Sequence, residues 1–147
     1  MTDDARSRPR PGMNVAAGDG ESPALDQAFD SDSLYSLRAA VAAHGSQAGL
    51  SDGRTRDLVL AVHELAANAV RHGAGQGRLR LWAAHDAVRC EITDEGAPGE
   101  ADAADAARWL AEPGHGLWLV RRIADSASVQ SGASGTVAAV IFRRVRS

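Results

Sequence analysis

Apolar positions recur with two different periods along the chain. Leu34, Leu37, Val41 and His44 fall at helical spacing. Asp30, Ser31 and Asp32 before them offer N-cap oxygens, and Gly45 after them is the expected C-cap. A stronger helix is predicted through TRDLVLAVHELAANAVRHG, capped by Ser51 or Asp52 and ended by Gly73. On a helical wheel Leu58, Val62, Leu65 and Ala69 form one narrow stripe, with Glu64, Asn68 and Arg71 as a polar stripe beside it. Most other positions from 58 to 70 are apolar, so this helix is expected to be largely buried. The period then drops to two. GAGQG reads as a turn, and RLRLWAA and AVRCEITD alternate as strands joined by a hairpin at His85-Asp86. In the second strand Val88, Cys90 and Ile92 face one way and Arg89, Glu91 and Thr93 the other, as in a sheet with one covered face. From Glu95 to Pro113 the pattern breaks into an Ala/Asp-rich excursion with one short helix around Trp109. GHGLWLVRRIAD then reads as a glycine-rich entry into a helix, and ASVQS and TVAAVIFRRV as two strands turning at Gly132 and Gly135. The order predicts an α/β (α+β) two-layer sandwich, a mostly antiparallel mixed sheet covered on one face by helices.

Composition narrows this picture. The chain has 147 residues, 44% of them hydrophobic, which suits one domain with a real core. Residues 1–24 hold little to bury and are expected to be a disordered tail, leaving 25–147 as the domain. The net charge of −3 argues against a dedicated nucleic-acid binder. All 16 basic residues are Arg; with no Lys there is no Walker A lysine, no protein-kinase strand lysine and no Schiff base. Cys90 is the one cysteine, so an internal disulfide and a multi-cysteine zinc site are both excluded. No apolar run approaches the roughly 18 residues of a membrane span, and the first residues lack a signal sequence's apolar segment. A cytoplasmic protein with no membrane partner is expected.

Three constellations carry chemistry. Glu64 and Asn68 lie one turn apart on one helix face. An amide oxygen beside a carboxylate suits a hard cation held together with phosphate, and the carboxylate can instead deprotonate an attacking hydroxyl. An ordinary solvated i,i+4 pair has the same spacing. The start of a zinc-protease motif at His63-Glu64 fails, because Ala67 stands where the second His would be. Asp94-Glu95-Gly96 closes a predicted strand; the Asp can accept from the exocyclic amine of a base, and Gly96 lets a ligand come close. A plain turn also uses these residues. Gly114-His115-Gly116-Leu117 precedes a helix whose free N–H groups favour an anion. A flexible loop ending at a helix would look alike.

Taken together, the order Glu-x-x-x-Asn, Asp-x-Gly, Gly-x-Gly and Gly135-Thr136 resembles the GHKL (Bergerat-fold) ATP-binding superfamily. Within it, ELAANAVRHG, ITDEG and GHGLWLVRRIAD are similar to the bacterial anti-sigma factor serine kinases, over roughly residues 28–143. The resemblance implies ATP and Mg²⁺ in a pocket between helices and sheet under a mobile lid. It implies Glu64 as catalytic base, Asn68 as the Mg²⁺ ligand, and Asp94 on the adenine amine. Thr136 would support adenine, Gly96 would admit the base, and Gly114, His115, Gly116 and Leu117 would form the phosphate loop. Arg71 is added here as a phosphate contact from the Asn68 face. The implied partners are a sigma factor, an anti-anti-sigma protein phosphorylated on serine, and a second copy of the chain. The 27 residues ahead of the matched region are too few for the helix pair of a sensor histidine kinase. A non-catalytic ATP-binding regulator is the alternative. After Asp94-Glu95-Gly96, Ala97 and Pro98 intervene before Gly99, and Arg108 is the one basic residue of the excursion.

Overall fold

The computed structural model describes residues 22–72, 75–94, 116–132 and 135–144. Its elements are β1 (Leu25–Asp30), a 3₁₀ turn (Ser31–Ser33), α1 (Leu34–Gln47), α2 (Asp52–His72), β2 (Gln76–Ala83), β3 (Ala87–Asp94), α3 (Gly116–Ile123), β4 (Ser126–Gly132) and β5 (Gly135–Arg143). The strands form one sheet in the order β1-β2-β3-β5-β4, and every described pairing is antiparallel. The expected layers are therefore present, but the sheet is not mixed among the described residues. The short helix expected around Trp109 and the tail up to residue 21 lie outside them.

Antiparallel partners share a face, so the register shows what the alternation builds. The pairs Val88–Phe142, Cys90–Val140, Ile92–Ala138 and Asp94–Thr136 run along one side. Phe142, Val88, Cys90, Val140 and Ile92 are buried there against Leu58, Ala61, Val62 and Leu65 of α2 and Leu117 and Val120 of α3. Each such large side chain taken out of water contributes about 1.5–3 kcal/mol. Burial pushes the Cys90 thiol far above the usual thiol range, so this cysteine is a packing residue. The opposite side carries Asp26, Arg78, Arg80, Arg89, Glu91 and Thr93. There Arg78 donates to Asp26 and holds that carboxyl below its ordinary range. Arg89 departs from the expected wet face. It is 7% exposed, lies in register between Trp82 and Ile141, and donates to Glu91 at 2.7 Å.

Three local readings change. First, β1 was not expected as a strand; its residues pair with β2 from Leu25–Leu81 to Asp30–Gln76. Its Phe29 is buried over Gly77, where an added Cβ would stand 2.7 Å from the ring and 2.7 Å from the Thr93 carbonyl oxygen. Gln76 and Gly77 accordingly belong to β2 rather than to a turn. Second, Gly45 does not cap α1, which continues to Gln47. Gly49, at φ +98°, makes the turn instead. Gly45 is a packing glycine: a Cβ there would lie 3.1 Å from Leu58, so its absence lets α1 approach α2. Third, the cap of α2 resolves to Ser51, whose hydroxyl accepts from the Arg54 amide at 3.1 Å.

Candidate functional site

Helix α2 positions the first constellation. Leu58, Val62, Leu65 and Ala69 are buried as expected, and Glu64 and Asn68 are half-buried beside them. The Asn68 amide donates back to the Glu64 carbonyl oxygen at 2.9 Å, which fixes the side chain and turns its oxygen away from that carbonyl. That oxygen accepts from the Arg71 guanidinium at 2.8 Å. A cation therefore already stands at the amide oxygen, one helical turn from the Glu64 carboxylate. Arg71 is exposed, so this contact is easily exchanged.

The second constellation forms across the sheet. Asp94, the last residue of β3, lies directly opposite Thr136 on β5. Two residues on from Ile92, Asp94 belongs to the helix-covered face and is 9% exposed. Of the third constellation, Gly116 and Leu117 open α3. The Leu117 side chain is in the core, 4% exposed, which leaves its backbone N–H as the group a ligand can meet. Gly96, Gly114 and His115 lie outside the described residues.

A contact the sequence did not reveal joins α2 to α3. Arg54, in the first turn of α2, donates to the Ile123 carbonyl oxygen at the end of α3, at 3.0 Å. Helices α2 and α3 pack together. The end of α3 is thereby pinned beside the flank of α2 that carries Arg54. On a helical wheel Arg54, Asp57, Glu64, Asn68 and Arg71 share that flank. No local signal marks this role: Ile123 is 69 residues away in sequence.

The other flank of α2 carries a second feature. A groove of about 430 Å³ runs between α1 and α2, lined by Ala42, Val59 and Leu60 with Arg38, Arg56 and His63. Its charged lining residues are all cationic. Tyr35, 77% exposed, lies next to it with the Arg38 guanidinium 5.6 Å from its ring centre. The His63 Nδ1 atom is buried without a hydrogen-bond partner among the described residues.

Residues 28–142 match the model of the histidine kinase-like ATPase domain. The chain belongs to that family. No match was found among curated protein sequences. Among solved structures, the chain is similar to the RsbU and RsbW domains of Rv1364c from Mycobacterium tuberculosis, at 22% identity and a TM-score of 0.61 over 85% of this chain and 34% of that one. It is also similar to the histidine kinase domain of the Erythrobacter litoralis EL346 blue-light activated histidine kinase, at 17% identity and a TM-score of 0.55 over 77% of this chain and 60% of that one. The Acinetobacter baumannii histidine kinase AdeS matches at 21% identity and a TM-score of 0.53 over 83% of this chain and 68% of that one. The chain thus spans about a third of the first of these proteins. These likenesses show the fold. Membership of an ATPase family implies that the chain binds ATP.

The residues present fit a divalent cation that arrives with phosphate. Asn68 offers one hard oxygen that already accepts from a cation, and Glu64 is a carboxylate one turn away. Among the described residues no cluster of three or more His, Cys, Asp or Glu side chains makes a metal site of its own. The remaining ligands would come from phosphate oxygens and water, the usual arrangement for Mg²⁺. No helix among the described residues is long and apolar enough to cross a membrane.

Proposed function

We infer that this family member is an ATP- and Mg²⁺-dependent protein serine kinase that works as an anti-sigma switch. It would hold a sigma factor, and would bind and phosphorylate an anti-anti-sigma protein. The observation that carries the reading is the Asn68 side chain, fixed by its own helix with its oxygen toward a cation and Glu64 one turn away. Asp94 and Thr136 would receive adenine. The backbone at Gly116 and Leu117 would receive phosphate oxygens in place of the lysine the chain lacks. Bound Mg²⁺ would supply charge neutralisation on the phosphates. Glu64 would accept the proton of the serine hydroxyl as its oxygen bonds to the γ-phosphorus and the bond to the β-phosphate bridge breaks, with ADP leaving. The phosphoserine would carry nearly two negative charges beside ADP and Glu64, and repulsion there would favour release of the product.

Calorimetric titration with ATP, ADP and GTP, each with and without Mg²⁺, tests this reading. Tight binding of ATP that depends on Mg²⁺ is expected; an empty cleft at millimolar ATP overturns it. Asn68→Ala is expected to weaken Mg-ATP by about 10- to 100-fold, the size of one lost contact to a charged group. Metal-free ATP should bind nearly as before. Equal losses with and without metal would remove Asn68 from the metal.

For the protein partners, the α1/α2 groove has an apolar floor and a cationic rim. It fits an acidic, partly apolar segment, with opposite charge steering the encounter. Arg38→Glu is expected to weaken partner binding at least about tenfold with ATP affinity unchanged. Unchanged partner binding in a surface-immobilised assay would exclude the groove.

A further inference from the structure

Arg54 makes contacts that a surface ion pair does not need. Its NH1 donates to the Ile123 carbonyl oxygen at 3.0 Å and to Asp57 at 3.1 Å, and its NH2 donates to Asp125 at 2.8 Å. Its guanidinium carbon lies 4.7 Å from the centre of the Phe142 ring, and the side chain is 14% exposed. Asp125 is itself fixed: its carboxylate accepts from the Arg143 amide at 2.8 Å, and its own amide donates to the Ile141 carbonyl oxygen at 3.0 Å. One guanidinium therefore joins the first turn of α2, the last carbonyl of α3, the α3–β4 turn and the end of β5. Only a planar fork does this. An ammonium is a point donor with no face to lay on Phe142. The buried Nε atom has no partner among the described residues, so the group is placed to satisfy NH1 and NH2 at the expense of a third donor.

We propose that Arg54 is a positioning residue for the phosphate end of the nucleotide site, holding α3 by its last carbonyl so that its first N–H groups stay aimed at phosphate. The proposal rests on the reading of that end given under Proposed function. α3 has eight residues, so its first N–H groups lie about 10 Å from the clamp along the helix axis. A helix this short has few internal hydrogen bonds of its own to hold its direction. Tilting it moves the N–H groups at Gly116 and Leu117 but leaves Asp94 and Thr136 in place, because those two are fixed by the β3–β5 ladder. Arg54 also sets its positive charge at the negative end of the helix dipole. Loss of the clamp should thus be felt by phosphates and not by adenosine.

The experiment measures the affinities of the full chain for adenosine, AMP, ADP and ATP by calorimetry, alongside thermal unfolding. In Arg54→Met the ATP affinity is expected to fall about tenfold with adenosine within about twofold, so that each added phosphate gains less than in the wild type. Arg54→Lys should resemble Arg54→Met rather than rescue it. Asp125→Asn loosens the same clamp without emptying the buried guanidinium site, and is expected to reduce the ATP-to-adenosine ratio in the same direction. Should Arg54→Met not fold, the Asp125→Asn ratio decides. A lowered melting temperature with an unchanged ratio, or equal losses for adenosine and ATP, overturns the proposal and makes Arg54 a structural staple. A wild-type chain that binds no adenine nucleotide defeats the functional reading itself and is distinguished from these results in the first titration.

Discussion

Glu64→Gln is expected to reduce phosphoryl transfer to a serine acceptor by about 10²- to 10⁴-fold while ATP affinity stays within about threefold. The substitution keeps the shape and removes the proton acceptor. Helix α2 should tolerate it, because the contact that links Glu64 to Asn68 uses the Glu64 backbone oxygen, not its carboxylate. The side chain is half-buried on the flank of α2 shared with Asn68, beside rather than within the apolar stripe. Single-turnover transfer of labelled phosphate, paired with ATP titrations, separates the possible roles. Loss of transfer with binding intact identifies a base. Loss of Mg-ATP affinity would make Glu64 a metal ligand instead. Wild-type transfer would remove Glu64 from the chemistry, whereas no transfer by the unsubstituted chain would leave it a nucleotide-dependent binding protein.

How much of this was legible depended on the range of the interactions. The stripe Leu58, Val62, Leu65 and Ala69 and the alternation Val88, Cys90, Ile92 each encode burial within a single element, and both faces lie where the pattern puts them. β1 was not legible because LDQAFD carries two Asp and sits at the sheet edge. What places its Phe29 is the missing side chain of Gly77, on a neighbouring strand. Gly45 misled for a related reason: a glycine near a helix end suggests a cap, yet here it serves the close approach of Leu58 from another helix. In the site, the pairing of Asn68 with Arg71 at i,i+3 is local; the polar stripe put both on one face, but Arg71 was expected to meet phosphate rather than Asn68. The facing of Asp94 and Thr136 required the β3–β5 register, which the intervening excursion hides. Arg54 carried no signal at all, since its role is defined by a carbonyl and a carboxylate about 70 residues away.

The proposed base-binding end of the site is tested by Asp94→Asn, expected to weaken ATP about 10- to 100-fold and to abolish most of the expected preference for ATP over GTP. A carboxylate can only accept, so it matches the exocyclic amine of adenine and repels the carbonyl oxygen that guanine presents at the same place. Asp94 is 9% exposed, and a carbonyl set against a buried acceptor finds no donor there, a mismatch that sites built on hydrogen bonds reject strongly. Asparagine removes the charge and offers a donor as well as an acceptor, so GTP gains as ATP loses. The loss should appear in full with adenosine alone, because Asp94 lies at the end of β3 opposite Thr136. That is the reverse of the pattern expected for Arg54, whose effect should grow with each phosphate. The two variants thus divide one ligand between two structural supports, the ladder of β3 with β5 and the clamp on α3. An Asp94→Asn chain that keeps the wild-type ratio of ATP to GTP would show that the base is read elsewhere. Equal phosphate dependence in both variants would show that the sheet and α3 do not act on separate ends of the nucleotide.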